Sequence, residues 1–233
     1  MCSRGDKMYK YETHLHTFPV SRCGIASVKE NLEFYKRLGY DGVFITNHFI
    51  GGNINIDNDA SYEEKVEFYF SDYEQGVELG KKLGIKVFCG IETCYRGTEF
   101  LVYGLDKEWF LSHPEIMAMK TGDTLRFMKE NGALIIHAHP FRERKYIDHI
   151  RLFPRYIHGV EIINMSNSDE ENAMAKIYAQ HYGLLEFAGT DNHIASGTKN
   201  LAGVCCEKPV CSIEDFINKV KEHKMKIFTL KNE

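Results

Sequence analysis

Histidine and carboxylate side chains recur in this sequence just after short apolar runs: His14 with His16, then His48, Glu92, His139, and Asp191 with His193. Imidazole and carboxylate suit zinc, manganese or iron, and a carboxylate such as Glu92 has two oxygens with which to bridge two ions. In an extended segment residues i and i+2 point to one side. His14 with His16, and Asp191 with His193, can therefore each offer two ligands to one cavity. Singly, each piece has a plainer reading. A lone HxH arises often by chance, a lone His after a strand is more often capped or solvated, and Glu92 or Asp191 could cap the following segment. The joint reading is stronger because every piece occupies an equivalent position after a successive apolar run. His137 precedes His139 in the same spacing and reads equally as a ligand, a neighbour of one, or a polar residue at a strand end. His113, His149, His158, His181 and His223 fall in helix or loop contexts and read as structural or solvated.

The elements that must position these groups are set by the punctuation. An amphipathic stretch from Ser27 to Leu38 ends at Gly39 and precedes an apolar run, Val43 to Thr46. The pattern recurs with Tyr62 to Leu83 before Lys86 to Ile91, Asp123 to Glu130 before Ala133 to Ile136, Asp169 to Tyr182 before Leu184 to Ala188, and Ile213 to His223 before Met225 to Leu230. With opening runs at Tyr9 to Thr13 and Gly159 to Ile163, this makes about seven strands alternating with helices, the mark of a parallel α/β sheet or barrel. Phe100 to Tyr103 reads as an extra strand, a hairpin partner of the one before it. In such architectures the carboxyl ends of strands share one face, so five strand ends deliver ligand-type side chains to one mouth. No linker or low-complexity segment divides the 233 residues, which read as one domain, 1–233. The polar segment Gly51 to Ser61 reads as a loop that could border the site.

Composition narrows the partners. With 29 basic against 33 acidic residues the formal charge is only -4, which argues against wrapping a long nucleic acid or docking on an anionic membrane and favours a small substrate. The start, Met1 to Tyr11, has no apolar stretch and no later run approaches ~18 residues, so a cytoplasmic location is expected. Seven cysteines without a CxxC pair read as reduced thiols.

The ordered segments His14 to Thr17 (HLHT), Thr46 to His48 (TNH), Gly90 to Glu92 (GIE), Ala138 to Pro140 (AHP) and Gly189 to His193 (GTDNH) resemble the PHP family, the polymerase and histidinol phosphatase superfamily of metal-dependent phosphoesterases. The resemblance implies a distorted seven-stranded (β/α)7 TIM-like barrel with two or three divalent ions, zinc, manganese or iron. His14, His16, Glu92 and Asp191 would hold one ion, Glu92 and His139 a second, and His48 and His193 a third. The AHP motif matches His139 rather than His137. The chain departs from the family pattern in three places. Ser21, Arg22, Cys23 and Gly24 stand where many members place an Asp or His, with Cys23 a lesser candidate substitute. Asn47 replaces the Asp of the common TDH, and Glu99 stands where many members supply a His, making it a candidate replacement ligand.

The implied reaction is hydrolysis of a phosphate ester by a metal-bridging hydroxide, on a small phosphomonoester such as histidinol phosphate, a nucleotide or a sugar phosphate. His193 is a candidate proton donor to the leaving oxygen. Arg22 and Arg142, just beyond ligand motifs, are candidate phosphate clamps, against the default of a solvated arginine. Two other readings stand beside this one. One is an amidohydrolase-type C–N hydrolase, although a Glu stands at the third strand end where such enzymes commonly use a modified Lys. The other is a catalytically degenerate metal-binding regulatory module, suggested by Cys23 and Asn47.

Overall fold

The computed structural model describes residues 7–232. Part of the Met1 to Tyr11 stretch, Cys2 included, lies outside the described residues. In chain order the elements are β1 (Tyr9–Leu15), α1 (Val28–Arg37), β2 (Gly42–Ile45), a short β3 (His48–Phe49), α2 (Tyr62–Leu83), β4 (Lys86–Tyr95), β5 (Thr98–Tyr103), α3 (Lys107–Ser112) and α4 (Thr121–Glu130). They continue with β6 (Leu134–Ala138), β7 (Gly159–Asn164), α5 (Asp169–Tyr182), β8 (Leu185–Gly189), β9 (Asn200–Cys206), α6 (Ile213–Lys221) and β10 (Lys226–Lys231). Local sequence sets the helix starts. Ser27, Ser61 and Ser168 each form a reciprocal capping box with a glutamate three residues on, which satisfies backbone donors that the first turn leaves free. Gly84 and Gly183 end α2 and α5 in the left-handed conformation that glycine adopts without strain.

Among the described residues, nine strands run in the order β10-β9-β1-β2-β4-β5-β6-β7-β8, with β3 paired to β4 beside this path. The pairings β1–β2–β4 and β6–β7–β8 are parallel, while β4–β5–β6 and β10–β9–β1 are antiparallel. The sheet curls into a distorted TIM-like barrel with one unsealed seam. At the mouth, the chain beyond β8 spans that seam: Asn192 N–H donates to His14 O (3.2 Å) and His16 N–H to Asn192 O (2.9 Å). The expected barrel is therefore present, with strands beyond the seven read from punctuation. β9 was not anticipated, because it succeeds β8 with no helix between them and is built largely of small residues.

The barrel interior is filled by Tyr11, Phe44, Phe88, Leu101, Tyr103, Ile136 and Phe187, and Phe216, Ile217 and Val220 of α6 pack into the same cluster. Phe216 lies over Phe44 with ring centroids 4.2 Å apart. Phe216 also meets Tyr103 (ring centroids 5.5 Å apart), the last residue of β5, which runs antiparallel to β4 and β6, so α6 closes the end opposite the carboxyl ends of the parallel strands. A second apolar layer, including Phe100, Ile135, Val160 and Tyr178, lies outside the sheet beneath the helices. The open end of the barrel is left to polar groups.

Candidate metal centre

Simple strand alternation would not put His14 and His16 inside the barrel. Tyr11 faces the interior, so alternation would send Thr13 and Leu15 there and turn both histidines outward. The β1–β2 register instead slips by one residue, from Glu12 opposite Val43 to Leu15 opposite Ile45, a bulge that re-aims the end of the strand. Leu15 then packs outward with Val43 and Ile45, and His14 and His16 turn in. Glu12 holds the bulge. Its buried carboxylate accepts from the backbone N–H groups of Thr13 (3.0 Å), His14 (2.9 Å) and Thr190 (2.9 Å), and from the hydroxyls of Tyr35 and Thr190. Burial pushes the Glu12 carboxyl up to about 7 even against those donors.

Two further backbone distortions complete the mouth. β7 slips register between Glu161 and Ile163, so that Glu161 and Asn164 both reach the interior. His139 and Asp191 adopt positive φ (28° and 58°), a conformation that is strained for L-residues and that clusters at functional sites. Gly189 is required where it stands, because a Cβ there would lie 2.5 Å from His14 Cβ and 2.7 Å from Glu161 Oε1.

Glu92 is the hub. Its Oε1 lies 3.1 Å from His14 Nε2 and 3.2 Å from His139 Nε2, and its Oε2 lies 2.8 Å from His48 Nδ1 and 3.4 Å from His16 Nε2. Asp191 Oδ1 sits 3.2 Å from His16 Nε2 and 3.5 Å from His14 Nε2, and Glu99 Oε2 is 3.4 Å from His139 Nε2. Four groups bring one ligand atom per residue within 4.8 Å of one another: His14–His16–Glu92, His14–His139–Asp191, His48–Glu92–Glu99 and His16–Cys23–His48–His193. The donors suit cations. Glu92 Oε2 and His48 Nδ1 are buried and close, yet neither is aligned in a hydrogen bond. Buried lone pairs aimed at a common space are costly without a cation to meet them.

Electrostatics reflect this crowding. Burial works against ionisation of Glu92 and Asp191, but His14 and His48 around the first, and His14 and Arg142 around the second, hold both well below the usual carboxylate range. Glu99, buried beside Glu92, is pushed up. Burial and the neighbouring His193 and His48 drive His16 well below its ordinary value. Burial also opposes ionisation of the Cys23 thiol, but hydrogen bonds with His193 and His48 outweigh it and bring the thiol down to about 6.

A supporting layer fixes ring orientation. His14 Nδ1 donates to Glu161 Oε1 (3.0 Å), so Nε2 faces the centre, and Glu161 Oε2 accepts from His139 N–H (3.1 Å) and Asn164 Nδ2 (2.9 Å). His193 Nδ1 donates to Asp191 O (2.9 Å), which likewise presents its Nε2. Asn47 ties the loop after β1 to the site: its Oδ1 accepts from Thr17 N–H (2.7 Å) and Ser21 Oγ (2.8 Å), and its Nδ2 donates to Thr17 Oγ1 (2.7 Å). A cavity of about 570 Å³ opens onto the centre, lined by Cys23, His48, Gly52, Glu99, Arg142 and Tyr146 among others.

No protein-family model matches the sequence, and no curated protein matches it. Solved structures do match its fold. A two-domain protein from Bacteroides vulgatus containing a predicted PHP-like metal-dependent phosphoesterase superposes with a TM-score of 0.71 at 16% identity, over 95% of this chain. The match covers 65% of that longer protein. The chain shares the fold of that PHP-like domain. PsfC from Pseudomonas syringae shares it at TM-score 0.61 and 17% identity, over 97% of this chain and 92% of that one. An amidohydrolase from Chromobacterium violaceum, solved with bound sulfate and no metal, matches at TM-score 0.55 and 12% identity, over 95% and 97% of the two chains.

On this PHP-like frame the structure brings together His14, His16, His48, Glu92, Glu99, His139, Asp191 and His193, with Cys23 beside them. Arg142 reaches the rim and donates to Asp191 Oδ2 (2.6 Å), Asn164 Oδ1 (3.0 Å) and Asn167 Oδ1 (2.9 Å). Arg22 is not drawn in. It is exposed, its backbone N–H donates to Asn53 O (2.9 Å), and it is not among the residues lining the cavity. His137 is likewise outside the centre, stacked on Phe100 (centroids 4.7 Å apart) in the outer apolar layer. Glu12 and Glu161 escaped sequence reasoning, although a readable signal existed: each is an acidic residue inside an otherwise strand-like run. Among the described residues no helix is long and apolar enough to cross a membrane.

Proposed function

We propose that this chain is a metal-dependent phosphoesterase that hydrolyses a small phosphomonoester. The observation that carries the reading is the convergence of overlapping ligand groups around Glu92, with Arg142 at the cavity wall. Divalent ions held by His14, His16, Glu92 and Asp191, and by Glu92, Glu99 and His139, would supply Lewis acidity and an activated water.

The chain's own residues do the rest. Glu161 and Asp191 O fix the rings of His14 and His193, so their Nε2 atoms need no reorientation during turnover. Arg142 is held by three acceptors, which leaves its planar guanidinium pre-positioned to meet phosphoryl oxygens. His193 presents Nε2 at the wall, where it can hold a proton or a cation. The volume of about 570 Å³ suits a small ester.

A C–N hydrolase is the second reading, supported by the fold likeness to the Chromobacterium amidohydrolase. Against it, no lysine lines the cavity among the described residues, and a glutamate, Glu92, stands at its centre. Parallel panels of phosphomonoesters and cyclic or acyclic amides, assayed with Mn²⁺, Zn²⁺ and Fe²⁺, test the choice. Phosphate release from small esters with inert amides is expected. Amide turnover with inert esters would reverse the assignment, and bound metal with neither activity would favour a regulatory module.

A further inference from the structure

The loop between β1 and α1 carries a cysteine into the one corner of the centre that has few carboxylates. Cys23 Sγ and one nitrogen each of His16, His48 and His193 lie within 4.8 Å of one another. The loop is held from both sides. Ser21 N–H donates to Thr17 O (3.0 Å), Gly24 N–H to Ser21 O (3.0 Å) and Arg22 N–H to Asn53 O (2.9 Å). Just beyond Cys23, Ile25 N–H and Ala26 N–H both donate to His193 O (2.8 and 3.2 Å), stitching the loop to the residue that Cys23 faces. Gly24 leaves no slack, since a Cβ there would lie 2.8 Å from Thr17 C. His193 Nδ1 is already committed to Asp191 O, so the nitrogen it offers is Nε2.

We propose that Cys23 supplies a thiolate ligand at the third-ion position that the family resemblance gives to His48 and His193, so that this position takes a thiophilic divalent ion, zinc or iron(II), beside the carboxylate-rich pair. It rests on the metal-centre reading above and adds to it a division of labour by ligand chemistry. With His16 Nε2 turned to Glu92 (3.4 Å) and Asp191 (3.2 Å) and so given to the neighbouring ion, one thiolate and two imidazoles make a soft three-ligand set with an open fourth position, the form of a catalytic rather than a structural site. The groups around Glu92, Glu99 and Asp191 are richer in oxygen and accept manganese as readily. The centre is thereby of mixed character, and His193 serves as a ligand in place of a proton donor.

Cobalt(II) substitution of the full chain tests this. The loaded wild type is expected to show an intense thiolate-to-cobalt charge-transfer band and to bind one more ion than Cys23→Ala, in which the band is lost while the other ions remain. Cys23→Asp restores a hard ligand and is expected to keep the ion without the band, which separates ligation from damage to the fold. A fully loaded wild type without the band, or a Cys23→Ala variant that keeps both band and stoichiometry, overturns the site. The readout is independent of turnover. A chain that shows the band but hydrolyses no ester removes only the phosphoesterase reading, and one that hydrolyses esters without the band removes only this site.

Discussion

His137 and His139 stand two residues apart, at the end of one strand and just beyond it, have the same side chain, and meet opposite fates. Alternation along β6 sends both to the outer face. His137 stays there, opposite Phe100, with Phe153 and Tyr178 also around its ring. Neither of its nitrogens has a hydrogen-bond partner among the described residues. His139 escapes through its positive φ of 28°, which turns its ring into the mouth, while its N–H is caught by Glu161 and its Nε2 lies 3.2 Å from Glu92. Residue type and spacing do not decide which histidine becomes a ligand. A backbone distortion, stabilised by a carboxylate from another strand, does.

The largest expected contrast is between Glu92 and His137. Glu92→Gln removes the carboxylate charge that His14, His16, His48 and His139 share and is expected to lower phosphate release by at least ~10²-fold, the scale of losing one transition-state partner, together with loss of bound metal by elemental analysis. Next comes Glu161→Gln, which loosens His14 and His139 without touching an ion. Metal affinity should fall about 10–100-fold, with activity regained at saturating metal. Competitive metal titration checks this, and unchanged affinity would remove Glu161 from its positioning role.

His137→Leu should leave metal content and turnover unaltered while raising stability by about 1–2 kcal/mol, because an unpaired buried polar ring is replaced by an apolar side chain. A shift of the denaturant midpoint reads this out. Loss of metal in that variant would erase the contrast with His139.

The smallest effect concerns His158, another histidine outside the centre, whose Nδ1 accepts from Ile135 N–H (3.1 Å). Burial, then Lys129 and Lys221, hold it down to about 4. Its folded value lies below the unfolded one of about 6.5, so its contribution is fully present above that pH and is lost as pH falls toward about 4. His158→Asn keeps an acceptor but does not titrate, and should flatten the stability profile across that window. An unchanged profile would show that the Ile135 bond does not select the neutral ring.

The ligand set was legible because most of its members end an apolar run in a repeating α/β pattern, and the fold could be read from the same punctuation. The illegible part depends on partner strands. The bulges at Glu12 and Glu161 are register slips against β2 and β8, and nothing local to β1 or β7 encodes them. Asn47 read as a lost carboxylate, whereas it is a buried clamp on Thr17 and Ser21. Arg22 and Arg142 looked alike beside their motifs, and only the three acceptors around Arg142 separate them.

The central claim, that the mouth around Glu92 is a multi-ion phosphoesterase centre, is tested most directly by metal content and phosphate release measured on the same sample. The prediction is two or more divalent ions per chain and hydrolysis of a small phosphomonoester that stops on chelation and returns when metal is restored. Full metal occupancy with no ester hydrolysed, or hydrolysis indifferent to chelation, would contradict it.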